Sequence, residues 1–580
     1  VKVGPASRVR PFGCPTGGTI QGRTRIEPQP ALPLLEHDSP LGDESYFGDE
    51  PLRVGVAYAP RSFARELALD PPSRIRDIPA VRTRRRAMLI RLLECLPLAT
   101  AIFVISGIVW GPLLVPIPFV IAILLFHTYW LWRTMMNGAH AMKGYRLINK
   151  HKTMDWHAKF LEAKAEGKAP FEWGELRHII IVPNYTEGID KLRMGLDSIA
   201  ASPIASQIIA VLAMEEREGE AGHDKATTLL AEYEGRIGRV MATFHPYGLP
   251  GEIVGKSSNE NWAARRAKEQ LIDIEGGDLD CYTITSCDVD TVFHENHFPN
   301  LSYQFATNPN RYRRFWQGPI FYYNNIWHVP APMRLPHALS GMVQLGRVSR
   351  GFFRMVFPQS TYTLSLRMAN DAGYWDPDII PEDWHMFLKC YYNLGGKVEV
   401  DTIYSPIYMD GIRSKNYFKT FLNYYDQARR HAWGATDIPY AVCQALDHPE
   451  ISPWQRFRRI ASVTETHLLW TTQWFLVTVG RTVPFLLVGL GWTEFPAWFK
   501  PLDTWLLVPC GGSLLLMLIL DFRMRPKRPK EWRPHLYPVQ YGQYFLMAFI
   551  TFLSGTVPGL DAQQRLARGK RLEYRVTEKA

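Results

Sequence analysis

Two long apolar blocks lie near the two ends of the chain, and a long polar stretch separates them. No charged residue occurs from Cys95 to Trp132, nor from Pro534 to Leu560. Two further apolar segments, 466–492 with Arg481 as its one charge and 504–520, precede the second block. Because a crossing needs about 20 residues, the first block predicts two transmembrane helices and the C-terminal region predicts more. Buried helices of a soluble protein are the alternative, but they would not be expected to gather at both ends.

Basic runs flank these blocks and orient them. "RTRRRAMLIR" (82–91) precedes the first block, and "RMRPKRPKEWR" (523–533) follows the 504–520 segment. Because lysine and arginine concentrate on the cytoplasmic side of membranes, the middle of the chain is predicted to face the cytoplasm. The net charge of +10 is then explained by basic residues on the cytoplasmic side of the membrane, where they meet anionic lipid headgroups. Nucleic acid is not predicted as a partner, since no recognised binding motif accompanies the basic runs.

The basic tail "LARGKRLEYRVTEK" is also predicted to be cytoplasmic, although three C-terminal spans would leave it outside. Either one block holds two crossings, or the "SGTVPG" break at 554–559 makes the last segment re-entrant or interfacial. The second explanation is preferred. The start of the chain is rich in Pro, Gly and charge, so a disordered cytoplasmic arm is predicted there. No cleavable signal is visible, and the cysteines show no C-x-x-C pair.

Strand and helix patterns alternate in the polar middle. "RHIIIVPNYTEG", "QIIAVLAMEERE" and "TITSCDVD" predict strands, and "DKLRMGLDSIAAS" and "NWAARRAKEQLI" predict helices between them. This order predicts a doubly wound parallel sheet with ligand-binding groups at the carboxyl ends of its strands. Those ends carry polar or acidic residues, namely Asn184, Tyr185, Glu187, Glu215, Glu216, Asp288 and Asp290. Taken alone, the D-x-D pair could be an ordinary acidic turn.

Two later stretches predict helices with one apolar side. Residues 337–357 alternate apolar side chains with Arg347, Arg350 and Arg354, and residues 453–463 have a similar pattern. Such helices suit the membrane surface. Internal helices packed against the domain's own sheet are the alternative for both stretches, and for the first stretch the two interpretations have equal weight.

Five fragments together resemble a membrane-embedded family 2 glycosyltransferase with a GT-A fold, the group of the cellulose, hyaluronan and curdlan synthases. "VPNYTEG", "GKSSNENWA", "CDVD", "IPEDWHMF" and "QARRH" resemble, in family order, its base-binding turn, Gly-Lys helix start, metal motif, T-E-D motif and Q-x-x-R-W motif. The resemblance implies an α/β GT-A (Rossmann-like) cytoplasmic domain inserted between N-terminal and C-terminal transmembrane segments. It covers roughly residues 88–580.

The resemblance also implies roles for single residues. Asp383 would be the general base and Glu382 its structural or orienting neighbour. Asp288 and Asp290 would hold Mg²⁺ or Mn²⁺, with Asp290 favoured as the direct ligand. The nucleotide sugar would contact the remaining residues, which are Pro183, Tyr185, Glu187, Glu215, Lys256, Asp288, Gln427 and Arg430. Glu216 competes with Glu215, Tyr185 could instead be core packing, and Lys256 could be an ordinary solvated lysine.

The last motif departs from the family pattern. The family places a tryptophan against the acceptor sugar, but here His431 follows Arg430. Trp433 lies two residues further on, off the face shared by Gln427, Arg430 and His431, and could substitute only if the helix ends or bends there. His431 and Trp433 are both predicted acceptor residues. Because stacking on the acceptor sugar is part of what this motif supplies, the absence of the family tryptophan makes a long-chain polysaccharide synthase less well supported.

The predicted organisation follows from these patterns. It is a disordered arm (1–87), two transmembrane helices (88–135), a cytoplasmic GT-A domain with interface helices (136–445), an interface helix with C-terminal transmembrane helices (446–560) and a cytoplasmic tail (561–580). The predicted location is the plasma or inner membrane, with self-association left open.

The predicted activity is inverting, metal-dependent transfer from a nucleotide sugar, with UDP-sugar favoured, to a growing polysaccharide that is then exported. One alternative is transfer of a single sugar to a polyprenyl or glycolipid acceptor. A non-catalytic transporter or receptor that binds nucleotide sugars is the alternative of another class.

Overall fold

The computed structural model describes residues 84–350, 356–530, 538, 541–570 and 572. Most of the predicted arm lies outside these residues, and so do residues 571 and 573–580 of the predicted tail. The strands are β1 Arg177–Pro183, β2 Ile208–Glu215, β3 Arg239–His245, β4 Tyr282–Ser286, β5 Val292–Phe293, β6 Arg314–Gln317, β7 Ile320–Phe321, β8 Tyr362–Ser365, β9 Glu399–Thr402 and β10 Ile407–Tyr408.

The helices lie between and around these strands. They are α1 Arg84–Leu114, α2 Pro116–His151, α3 Trp156–Ala165, α4 Ile189–Ala200, α5 Glu220–Tyr233, α6 Lys256–Lys268, α7 His297–Thr307, α8 Ala331–Val348, α9 Leu366–Asp371, α10 Glu382–Asn393, α11 Tyr417–Ala432, α12 Asp437–Asp447, α13 Pro453–Trp474, α14 Gly480–Gly489, α15 Phe499–Met524 and α16 Gln543–Ala567.

The main sheet is mixed, with strand order β3-β2-β1-β4-β8-β6-β9. Strands β1 to β4 are parallel. The alternation of strands and helices predicted this for β1, β2 and β4, whereas β3 was not predicted. Strand β8 runs antiparallel to both β4 and β6, so the prediction of a wholly parallel sheet is wrong. A second sheet, β5-β10-β7, has three short strands.

The centre of the main sheet is buried on both faces, which explains its runs of β-branched residues. Every residue of β2 is buried, as are the five central residues of β1. One face packs against α6 and α10, and the other packs against α4, α5 and α7. This two-sided cover fixes the carboxyl ends of β1, β2 and β4 along one edge.

Helix α8, which contains most of the stretch 337–357, does not lie on the surface. Its Met342 and Leu345 are buried against α2 and α15 on one side and Phe321 of β7 on the other. Gly346 permits this approach, because a Cβ there would lie 2.6 Å from Asn137 of α2. Helix α8 therefore connects the second sheet to two apolar helices.

Among the described residues, four helices are long and apolar enough to cross a membrane: α1, α2, α15 and α16. The break predicted at 554–559 does not interrupt α16, which continues through a π-helical turn at Phe552–Thr556. The segment 466–492 is helical as far as Gly489, but the helices that contain it are not among these four. Arg481 forms an interhelical ion pair of 3.1 Å with Asp503 of α15.

Candidate active site

One open cavity of about 1010 Å³ lies at the carboxyl ends of β1, β2 and β4 and extends between α8, α11 and α13. It is lined by all but one of the residues that the motifs predict for the site, namely Pro183, Tyr185, Glu187, Glu215, Lys256, Asp288, Asp290, Glu382, Asp383, Gln427, Arg430 and His431. Trp433 is the exception. The five motifs, which lie far apart in sequence, therefore converge on one space.

The turn after β1 forms one end of this cavity. The Glu187 carboxylate accepts a hydrogen bond of 2.7 Å from the Tyr185 backbone N–H, across Thr186 with its φ of +65°. Arg217, which the sequence reasoning missed, lies over the Tyr185 ring, its guanidinium carbon 3.5 Å from the ring centroid. One face of the tyrosine that was predicted to stack on a base is thus covered by a cation.

Glu215 rather than Glu216 lines the cavity. Its carboxylate is 3.2 Å from Arg217 Nε and 3.5 Å from Nδ1 of His245 on the neighbouring strand. Burial lowers the pKa of His245, but Glu215 and Glu252 outweigh this effect and raise it to about 9. Glu215 therefore lies between two cationic groups at neutral pH.

Lys256, the first residue of α6, is the central cation of the site. Its Nζ lies 2.9 Å from Asp288, 2.9 Å from Glu382 and 3.6 Å from Glu260. It also donates a hydrogen bond of 3.0 Å to the Ser360 carbonyl. Burial opposes the charged amine, but these carboxylates outweigh it and hold the pKa of Lys256 well above its usual value. The side chain is therefore not an ordinary solvated lysine.

Glu260 lies one helical turn after Lys256 and was not predicted as a site residue. It is fully buried and accepts a hydrogen bond of 2.6 Å from Ser286 Oγ. Burial raises its pKa to about 8 even though Lys256 opposes the shift. The charges of Glu382 and Asp288 act in the same direction as burial on the pKa of Glu260.

The metal-motif carboxylates differ in their surroundings. Asp290 is fully buried and accepts a hydrogen bond of 2.8 Å from the Asp410 backbone N–H, whereas the Asp288 side chain is partly exposed. Asp410 also forms an ion pair with Lys191. Among the residues that the structure describes, no group of three or more His, Cys, Asp or Glu could hold a metal by itself. Two carboxylates still fit Mg²⁺, which takes one or two of them together with substrate phosphates.

Asp383 stands at the start of α10. Its two carboxylate oxygens accept hydrogen bonds from the backbone N–H groups of Ser360, at 3.2 Å, and Trp384, at 2.8 Å. Burial, and then the neighbouring charge of Glu382, raise its pKa to about 7. A carboxylate with a pKa near neutrality is suited to general base chemistry.

The neighbouring His385 does not line the cavity. Its ring lies between Asp376, at 3.1 Å, and Asp437, at 3.0 Å. Burial lowers the pKa of this imidazole, but the two carboxylates outweigh burial and raise it to about 9. The histidine is therefore a charged bridge that fixes α10 against α12.

Helix α11 carries the last motif. Gln427, Arg430 and His431 line the cavity, as their shared helical face predicts. The helix ends at Ala432, and Trp433 begins a 3₁₀ turn. Trp433 is buried in an apolar cluster with Leu566 of α16. The structure thus does not bring Trp433 to the cavity.

The far side of the cavity is built from residues that the sequence reasoning missed. His467 on α13 is 2% exposed, and neither ring nitrogen has a hydrogen-bond partner among the described residues. Its ring centroid lies 5.6 Å from Trp384 and 6.3 Å from Trp470, nearly parallel to the latter. Arg347 of α8 lines the same side. The helices that carry this wall, α8 and α13, pack against helices that are long and apolar enough to cross a membrane.

Comparison with known proteins agrees with the motifs. Residues 283–520 match the model of the family described as glycosyl transferase family group 2. The match begins in β4 and ends in α15, so it includes the metal motif, Asp383 and α11 but not β1 to β3. No curated protein matches the chain.

Two solved structures are similar in part. One is the mannosyltransferase PcManGT from Pyrobaculum calidifontis in complex with GDP-Man and Mn²⁺, at 14% identity and a TM-score of 0.37, covering 72% of this chain and 97% of that one. The other is residues 1–349 of TarS from S. aureus, at 11% identity and a TM-score of 0.32, covering 68% and 92%. Over residues 283–520 the resemblance of this chain to the family 2 glycosyltransferases is confirmed.

Proposed function

We propose that the protein is an inverting, metal-dependent membrane glycosyltransferase with a GT-A-type catalytic domain on the cytoplasmic side. It takes a nucleotide sugar, with UDP-sugar favoured, and transfers the sugar to an acceptor that reaches the site from the membrane. One observation carries this proposal: a single cavity is lined by all five motifs and contains a partly buried carboxylate, Asp383, whose pKa is raised to about 7.

The donor end of the cavity has the groups that a nucleotide diphosphate requires. Tyr185 and Glu215 face the space at the ends of β1 and β2, where the base and ribose would bind. Asp288 and Asp290 would hold a divalent cation, which would offset the charge of the diphosphate leaving group. Arg430 of α11 adds a cation on the opposite side.

Asp383 provides the base. The acceptor hydroxyl oxygen forms a bond to the anomeric carbon of the donor, and its proton passes to Asp383. The bond from that carbon to the diphosphate breaks, and the nucleoside diphosphate leaves with the bonding electrons. Attack opposite the leaving group inverts the anomeric centre. Lys256 keeps Glu382 paired, so that Glu382 can orient Asp383 without accepting the proton itself.

Two products fit this chemistry. Repeated transfer would extend a β-linked glycan that crosses the membrane, and a single transfer would give a glycosylated lipid. His431, Trp384 and Trp470 offer surfaces for either acceptor. A transporter or receptor would need a donor site but no base, so the surroundings of Asp383 favour the enzyme.

The test uses the full chain in lipid nanodiscs with Mn²⁺ or Mg²⁺ and a panel of radiolabelled nucleotide sugars. The products are separated by size and by lipid extraction, with Asp383→Asn as the matched control. We expect label from one donor to enter a polymer or a lipid only with the unaltered protein. If the protein bound a nucleotide sugar but showed no turnover that depends on Asp383, the proposed enzymatic activity would be refuted. The non-catalytic binding protein would then be the better interpretation.

A further inference from the structure

Three arginines meet on the side of the cavity that faces the apolar helices. Arg347 of α8 lines both the main cavity and a small adjoining cavity of about 70 Å³. Arg133 of α2 and Arg350, just beyond α8, line the small cavity as well. These three residues are called the basic cluster below. The small cavity has one acidic residue in its lining, Glu465 of α13.

Within the described part of the chain, the positive charge of the basic cluster is only partly balanced by acidic side chains. Glu465 forms an ion pair with Arg133. Arg347 forms no ion pair or hydrogen bond with any residue that the structure describes, and the buried Nε of Arg350 has no hydrogen-bond partner there. Burial, with Arg133 and Arg350 nearby, lowers the pKa of Arg347 to about 10. Because partly buried unpaired cations are costly, this arrangement favours an anionic ligand.

The basic cluster also lies at a particular depth along the apolar helices. Helix α2 begins at Pro116, and at 1.5 Å per residue Arg133 lies roughly 26 Å further along its axis. The hydrocarbon core of a bilayer is about 30 Å thick. A span that enters the core near Pro116 therefore brings Arg133, and the arginines beside it, close to the headgroups of the opposite leaflet.

The basic cluster adjoins the reacting end of the cavity. Trp384 follows Asp383 in the chain and lines both cavities, as does Gln359, which precedes Ser360. The Ser360 N–H donates a hydrogen bond to Asp383. An acceptor with a hydroxyl near Asp383 could therefore place a group attached to the same sugar beside Arg347.

We propose that the acceptor is a lipid-linked sugar phosphate and that Arg347, assisted by Arg350, binds its phosphate group. The proposal rests on the proposed glycosyl transfer and names the acceptor class for that site. Planar guanidinium groups bind phosphate oxygens in pairs, and the lipid chain would remain among the apolar helices. The basic cluster positions the acceptor and takes no part in bond making.

The test measures binding of three probes to the full chain in nanodiscs: a short-chain prenyl phosphate, the matching prenyl alcohol and inorganic phosphate. Arg347→Ala and Arg347→Lys are compared with Arg146→Ala, which removes an exposed arginine on α2 outside both cavities. We expect Arg347→Ala to weaken prenyl phosphate binding at least tenfold, Arg347→Lys to lose less, and Arg146→Ala to stay within twofold. The prenyl alcohol should bind equally to all variants.

Several outcomes would overturn the proposal. If the unaltered protein and Arg347→Ala bound prenyl phosphate equally tightly, Arg347 would not be a phosphate-binding residue. If inorganic phosphate bound as tightly as prenyl phosphate, the basic cluster would be a site for a soluble phosphate and not for a lipid. UDP binding in the presence of Mn²⁺ is measured on every variant. A loss of nucleotide binding, which would count against the proposed function, is thereby distinguished from a loss of acceptor binding alone.

A second measurement needs no variant. In the unaltered protein, added salt should weaken binding of the prenyl phosphate but not of the prenyl alcohol, because screening acts on charge pairs. Binding of both probes with the same salt dependence would also overturn the proposal.

Discussion

The two ends of the cavity differ in how their charges are satisfied. At the donor end, Lys256 lies within ion-pair distance of Asp288, Glu382 and Glu260. The other end lies between α8 and α13, which pack against helices long and apolar enough to cross a membrane, and it is called the membrane-facing end below. There Arg347 forms no ion pair or hydrogen bond with the described residues, and neither ring nitrogen of His467 has a hydrogen-bond partner among them. The first end is organised by the protein's own contacts, whereas the second has polar groups that a ligand could satisfy. Changes at the two ends should therefore separate donor effects from acceptor effects.

The largest effect is expected for Asp383→Asn, at the donor end. A positioned general base contributes roughly 10²–10⁴ in rate, so turnover should fall by about that factor while nucleotide affinity is kept. Because the pKa of Asp383 is raised to about 7, its basic form grows as pH rises. Turnover of the unaltered protein should therefore increase up to about pH 7 and then level off.

Initial rates between pH 5.5 and 8.5, with nucleotide affinity measured at each pH, check this expectation. The residual rate of Asp383→Asn should lack the step near pH 7. If the variant kept the same step, another group would have to be the base.

A large loss of stability is expected for Lys256→Met. The change leaves two carboxylates, each 2.9 Å from the lost amine, without their cation. Breaking a fully buried pair costs about 3–5 kcal/mol. Because these pairs are partly exposed to solvent, the cost should be smaller, but the thermal unfolding midpoint should still fall. Lys159→Met is the matched control, because that lysine forms an exposed pair with Glu162. If the two variants had similar midpoints, Lys256 would not be the central cation inferred from the structure.

The same comparison explains how much of the site the sequence could predict. The donor end is formed by short segments at strand ends, where contiguous motifs such as "CDVD" and "PEDWH" carry the side chains. The parallel strands β1, β2 and β4 were therefore predictable from alternation, and so was their shared edge, whereas β3 was not predicted. The antiparallel β8 was not, because its pairing with β4 depends on a contact between distant segments.

The membrane-facing end had no such local signal. His467 and Arg347 come from α13 and α8, and each looks like an ordinary member of an amphipathic helix. Trp433 shows the reverse case, since its spacing left it as a candidate acceptor residue. The end of α11 and the packing of α16 instead bury it with Leu566. Both outcomes depend on how helices pack, which local patterns do not determine.

A moderate effect is expected for His467→Phe, at the membrane-facing end. Phenylalanine keeps a ring between Trp384 and Trp470 but removes both nitrogens. A hydrogen bond contributes about 1 kcal/mol, so the acceptor KM should rise roughly fivefold while the donor KM stays constant. Steady-state kinetics with each substrate varied in turn would show this difference. An equal rise in both KM values would mean that the residue supports the fold rather than the acceptor.

The smallest effect is expected for Arg217→Ala. Its guanidinium covers one face of Tyr185 at 3.5 Å, and a base that stacks on that face must displace it. Exposed cation–π contacts are worth about 0.5–1 kcal/mol, so removal of Arg217 should tighten UDP binding by roughly two- to fivefold. In a Tyr185→Ala background the same change should have no such effect, because no ring remains to be uncovered. Weaker binding by Arg217→Ala alone would indicate that the arginine itself contacts the nucleotide, and the donor end would then hold its ligand by charge rather than by stacking on Tyr185.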